Sequence, residues 1–102
     1  MDFFSGLISP MPCAAEHKAE VQKLLDELIK IGQTEDFLSE RPGHGFNGQC
    51  RHVRTIMIGR RLDEIGQLAL MTWVHQRVRR KLKAQLASHL EYAWDGVGSY
   101  RA

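Results

Sequence analysis

The residues most suggestive of chemistry crowd into positions 40–54, ERPGHGFNGQCRHVR. Three glycines, two histidines, one cysteine and four charged side chains share these fifteen residues. A phosphate-cradling loop would need the pattern GxxxxGK[ST] behind a strand. Here Gly48 is followed by Gln49 and Cys50, and no strand is expected before it. A weaker anion site remains conceivable at the start of the following helix, where unpaired N–H groups point outward beside Arg51 and Arg54. The competing reading is an elbow between helices. In it Pro42, Gly43, Gly45 and Gly48 supply turn angles and Asn47 caps the next helix. The elbow is favoured.

Other constellations are thinner. Zinc wants about four tetrahedral ligands. His44, Cys50 and His52 lie close in sequence, and Cys13 sits one helical turn from His17. Cys50 and His52 are two apart, which on a helix points them to different sides. A Cys50 nucleophile would need His52 or His75 as its base, and nothing marks that pairing; a buried cysteine is more often a small hydrophobe. Asp63 and Glu64 are adjacent and splay apart. The expectation is no enzyme, no metal and no cofactor.

Two surface features stand out. The first is the basic run Arg77, Arg79, Arg80, Lys81 and Lys83. Joined by Arg51, Arg54, Arg60 and Arg61, it could bind phosphates or nucleic acid with steep salt dependence. Against this, no helix-turn-helix pattern is visible and no aromatics interleave with the bases. The second is the set Met71, Trp73 and Trp94, candidates for contact with a protein partner or a second copy.

These side chains are to be positioned by helices. Strand signals are nearly absent, and apolar residues recur at spacings of three and four. An irregular arm is expected over 1–12, with Pro12 suited to a first helical turn. A helix follows over 13–31, with Val21, Leu24, Leu25, Leu28 and Ile31 on one face and Gly32 as its cap. Thr34 would cap a short helix that ends at Arg41-Pro42. A connector over 41–48 leads to a helix over 49–65. In that helix Val53, Ile56 and Met57 oppose Ile58, Leu62 and Ile65. Gly59 lies between, which suggests a helix wedged between neighbours with one approaching closely at the glycine. Gly66 breaks the pattern. Residues 68–94 could form one helix or two; Val74 and Val78 do not align with Leu82 and Leu86, so a turn is expected near 80–81. Asp95-Gly96 ends the last helix, with Val97 and Tyr100 folding back in a tail over 95–102.

The totals agree with a single small all-α domain of four to five helices in an orthogonal or bundle-like packing. The chain has 102 residues, 43% hydrophobic and 25% charged, with a formal charge of +2. Charge is unevenly placed. Residues 1–48 hold eight acids against four bases, and residues 49–102 hold four acids against ten bases. Either an external anion meets the basic half or the acidic half lies against it; the internal reading needs no unseen molecule. Two cysteines make no disulfide framework, the N-terminus lacks a signal peptide's basic start, and no run nears the ~18 apolar residues of a membrane span. A cytoplasmic location is expected.

The segments IGRRLDEIG (58–66), LM (70–71) with VH (74–75), and AWDGVG (93–98) together resemble small uncharacterised bacterial helical proteins. Those carry an IGxxLxxxG segment, an LMxxVH helix and an AW[DN]GIG-like tail. The likeness spans about the last fifty residues. It departs at Gln67, where a second glycine is usual, and at Val97 and Tyr100, where Ile and Trp are. It implies a bacterial origin, a helical fold and a structural tail, and brings no activity. The function expected is a non-catalytic helical interaction module that self-associates or docks one protein partner. The alternative is weak nucleic-acid binding through the basic half.

Overall fold

The structure, a computed structural model, describes residues 11–34, 37 and 46–101, with residues 46–50 described for their backbone only. The described residues are all-α. A turn of 3-10 helix, Ala15–His17, leads into α1, Lys18–Gln33; a long helix α2 covers Phe46–Lys81, and α3 covers Ala84–Trp94. That is three α-helices among the described residues, where the sequence suggests four to five. The expected short helix after Thr34 falls mostly outside them. None of the helices is long and apolar enough to cross a membrane.

The periodic stripe of α1 forms as its spacing dictates. Val21, Leu24, Leu25, Leu28 and Ile31 are all buried, the result of apolar residues recurring once per turn. One local expectation is corrected. Gly32 lies inside α1 and caps nothing. It is a point of close approach, where a Cβ would collide with the Leu82 side chain and stand 2.8 Å from the Phe37 ring. Thr34 closes α1: its Oγ1 donates to the Ile31 carbonyl at 2.6 Å, and its N–H reaches the same oxygen at 3.1 Å; the short helix it is expected to cap lies mostly outside the described residues.

Helix α2 starts at Phe46, so Asn47 and Gly48 belong to its first turn; Asn47 is not a cap outside it. The helix is broken where Gly66 interrupts the sequence pattern. Gly66 (φ −145°, ψ 15°) and Gln67 (φ 54°, ψ −153°) leave helical geometry. Gln67 occupies a region that side-chain-bearing residues avoid. The likeness drawn from sequence put a glycine at this position, and the backbone shows why one would suit it. Beyond the break the helix runs to Lys81. Leu82 and Lys83 then separate it from α3, so residues 68–94 form two helices with the joint one or two residues past the expected place.

The core lies where α1, both rods of α2 and α3 meet. Ile58, Leu62, Leu70, Met71, Val74, Val78, Leu90 and Trp94 are fully enclosed. At Gly59 α3 approaches α2 closely. Trp94 lies across it, and the indole Nε1–H donates to the Thr55 carbonyl at 3.0 Å. The wedge holds for one face only, since Val53 and Met57 on the other are 53% and 51% exposed. After Trp94 the chain reverses through Gly96 (φ 89°) and Gly98 (φ 56°). Val97 and Tyr100 return to the core, with Tyr100 edge-on to Trp94 at 5.6 Å between ring centres. The Asp63 carboxylate packs directly against Gly98.

Candidate functional site

Among the described residues of the 40–54 segment, His52 acts as a fastening. His52 is buried, and its Nδ1 lies 2.7 Å from the Phe37 carbonyl. The imidazole thus ties the segment after α1 to the first rod of α2. His75 is likewise buried, with Nε2 at 3.1 Å from the Ala87 carbonyl and 3.3 Å from Glu91. Each histidine joins two elements. Cys13 is half-buried against the core. Among the described residues no group of three or more His, Cys, Asp or Glu side chains is placed to hold a metal ion. The side chains of His44 and Cys50 lie outside the described residues.

The two charge-bearing halves meet. Glu20 accepts from Arg61 Nε at 2.6 Å and Nη2 at 2.9 Å; Glu27 accepts from Arg54 Nε at 2.5 Å and Nη2 at 3.0 Å. Both pairs are bidentate forks, the strongest geometry such groups adopt. They follow from antiparallel packing, because residues seven apart on α1 face residues seven apart on α2. Hydrogen bonding from Arg61 holds the Glu20 carboxyl below the usual carboxylate range, and Arg54 does the same for Glu27. The guanidinium groups are held protonated in return. These two arginines meet the acidic half of the chain itself.

The remaining candidate cations sit elsewhere. Arg77, Arg80 and Lys81 flank the opposite side of α1, where they line a groove of about 470 Å³ together with Met11, Gln22, Leu25, Asp26, Ile29 and Trp73. Arg77 stacks on the Trp73 ring at 4.7 Å, a cation–π contact that the four-residue spacing on one helix makes natural. Lys83 is exposed at the joint, and Arg51 is half-buried near the start of α2. The bases proposed from sequence therefore do not form one surface: α1 stands between Arg54 and the Arg77 group.

The three partner candidates also part company. Met71 and Trp94 are fully buried within the single chain, because the stripes that carry them face α1 and Gly59. Only Trp73 reaches the surface, half-buried at the groove. Sequence reasoning missed the accessible apolar pair Val53 and Met57, which lies next to a shallow hollow lined by Arg54, Met57, Arg60, Arg61 and Glu64. The signal was present in their position on the face opposite Ile58 and Leu62. Glu20 and Glu27 were also missed, although their spacing equals that of Arg54 and Arg61. Comparison with protein-family models, with curated proteins and with solved structures finds no match to this chain.

Proposed function

We propose that the chain is a non-catalytic helical interaction module that pairs with a second copy of itself through the outer face of α2. The observation that supports this is the pair Val53 and Met57, each about half exposed and one turn apart. Large apolar side chains adjacent on a helix surface are what a partner helix covers. Arg60 and Glu64 continue the same face, so an apolar centre is edged by both signs of charge. Such a patch complements itself, as a two-fold interface requires. In this reading the four rods pack as a bundle around Trp94, the location is cytoplasmic, and no cofactor takes part.

Sedimentation over a wide concentration range tests it. Dimers are expected to dissociate on dilution. Met57→Glu is expected to leave monomers at every concentration without a loss of thermal stability, because the side chain contributes little to the core. A parent chain that stays monomeric throughout sinks the reading. A second reading, weak nucleic-acid binding, is favoured by one observation: Arg79, Arg80, Lys81 and Lys83 are all exposed where α2 gives way to α3. Binding to labelled DNA or RNA that falls steeply between ~50 and ~200 mM salt would support it; no binding at low salt removes it.

A further inference from the structure

We infer that the break at Gly66 and Gln67 is an exchange hinge: when α2 straightens there, the chain swaps its second hairpin, residues 68–101, with that of a second copy. The break divides the described residues into two hairpins. The first is α1 with the first rod of α2. It is tied within itself by Glu20 with Arg61, Glu27 with Arg54, and His52 with the Phe37 carbonyl. The second is the second rod of α2 with α3 and the tail, tied by His75 to the Ala87 carbonyl and to Glu91. Between the hairpins run the shared core, the Trp94 indole bond to the Thr55 carbonyl, Leu82 against Gly32, and Gly98 against Asp63. Each of these contacts joins residues on opposite sides of the break, so each can be remade unchanged with a second copy.

The hinge itself favours opening. Gln67, at φ 54° and ψ −153°, sits close to a region that is essentially reserved for glycine. Straightening returns it to helical angles and makes Phe46–Lys81 one uninterrupted helix of 36 residues, ~54 Å long. Exchange demands little new structure, because the interface is the one the chain already has. It rests on the hinge and not on Val53 and Met57, so it is independent of the outer-face pairing. It also requires the core to open, since Ile58 and Leu62 of one hairpin and Leu90 and Trp94 of the other are enclosed together. Concentrating the folded protein therefore does not produce it, whereas refolding chains together does.

Mixed refolding tests the inference. Chains carrying a heavy-nitrogen label and chains carrying a heavy-carbon label are unfolded in urea, refolded together at high concentration and separated by size. A dimer is expected, with isotope-filtered NOEs from the Trp94 indole N–H of one copy to Thr55 and Gly59 of the other. Met57→Glu should leave this dimer in place. Gln67→Gly relieves the closed form and disfavours the straight helix, so the dimer-to-monomer ratio should fall at least ~10-fold. Gly66→Ala acts the other way. In the closed form its Cβ would meet the Leu70 Cβ at 2.6 Å and the Pro12 carbonyl at 3.0 Å, whereas a straight helix keeps Cβ atoms four residues apart at ~5–6 Å. The ratio should then rise at least ~10-fold; if that variant does not fold, Gln67→Gly and the NOEs decide alone. Absence of a dimer overturns the inference. So does a dimer without those NOEs, its loss in Met57→Glu, or a ratio that Gln67→Gly leaves unchanged or raises.

Discussion

Gly59→Ala puts the packing of α3 to a sharp test, because local propensity and tertiary packing give opposite signs. In a helix alone, alanine is favoured over glycine by ~1 kcal/mol. In this fold the new methyl group would stand 2.6 Å from Trp94 Nε1 and 2.7 Å from its Cδ1. Ordinary carbon contacts begin near ~3.5 Å, so the indole must retreat by nearly ~1 Å. Overpacking of that kind costs ~1–3 kcal/mol. The retreat also stretches the 3.0 Å bond from the indole to the Thr55 carbonyl. Leaving that buried donor unpaired costs a further ~1–3 kcal/mol. After subtracting the propensity gain, a net loss of about 1–5 kcal/mol is expected, which at ~4–8 °C per kcal/mol is a large drop in Tm for a domain of this size. Urea and thermal unfolding followed by circular dichroism measure it. A double-mutant cycle adds the cause: in a Trp94→Phe background, without the indole N–H, the penalty of Gly59→Ala should shrink by ~1 kcal/mol or more. If Gly59→Ala is as stable as the parent, or more stable, the indole does not lie against this glycine.

Three further outcomes rest on the same physics. Gln67→Gly should stabilise the chain by about 1 kcal/mol in urea unfolding, as relief of a ~1–3 kcal/mol backbone strain outweighs the added freedom of the unfolded chain; an unchanged or lowered midpoint counts against strain at the break. Glu20 and Glu27 titrate below their ordinary 4.5 in the fold, so their contribution is present above pH 4.5 and is lost as pH falls below it. Arg61→Gln should therefore flatten the acid limb of the stability curve, and an unaltered limb would exclude the Glu20 pairing in solution. Burial first, and Glu91 second, push the Tyr100 hydroxyl up to about 12; its contribution is complete below pH 10 and fades as pH rises from 10 towards 12, a fade that Tyr100→Phe should abolish in alkaline unfolding.

Much of the scaffold was legible where one side chain's position fixes its partner's. The stripe of α1, the break at Gly66, the joint before α3 and the returning tail all rest on local periodicity or on a glycine. What escaped depends on which face meets which neighbour. Met71 and Trp94 carry the same apolar character whether they face a core or a partner, and only the packing of α1 and Gly59 against them settles it. Gly32 bears the residue type of a cap, yet the same missing side chain lets Leu82 and the Phe37 ring approach inside the helix. Sequence carries no record of α1 lying between Arg54 and the Arg77 group, so the basic run and the earlier arginines could be joined into one surface. The forks of Glu20 with Arg61 and Glu27 with Arg54 were foreshadowed by charge asymmetry, and their matching seven-residue spacings identify the partners once antiparallel packing is known.

The two buried imidazoles also impose opposite proton positions. His52 faces the Phe37 carbonyl through Nδ1, and His75 faces the Ala87 carbonyl through Nε2. An oxygen acceptor asks for a hydrogen on the nitrogen it meets, so the neutral rings are different tautomers of one side chain. Isosteric replacement then becomes position-specific. An asparagine amide reaches about as far as Nδ1 and a glutamine amide about as far as Nε2, so Asn fits at position 52 and Gln at position 75, and exchanging the two would leave both carbonyls without a donor.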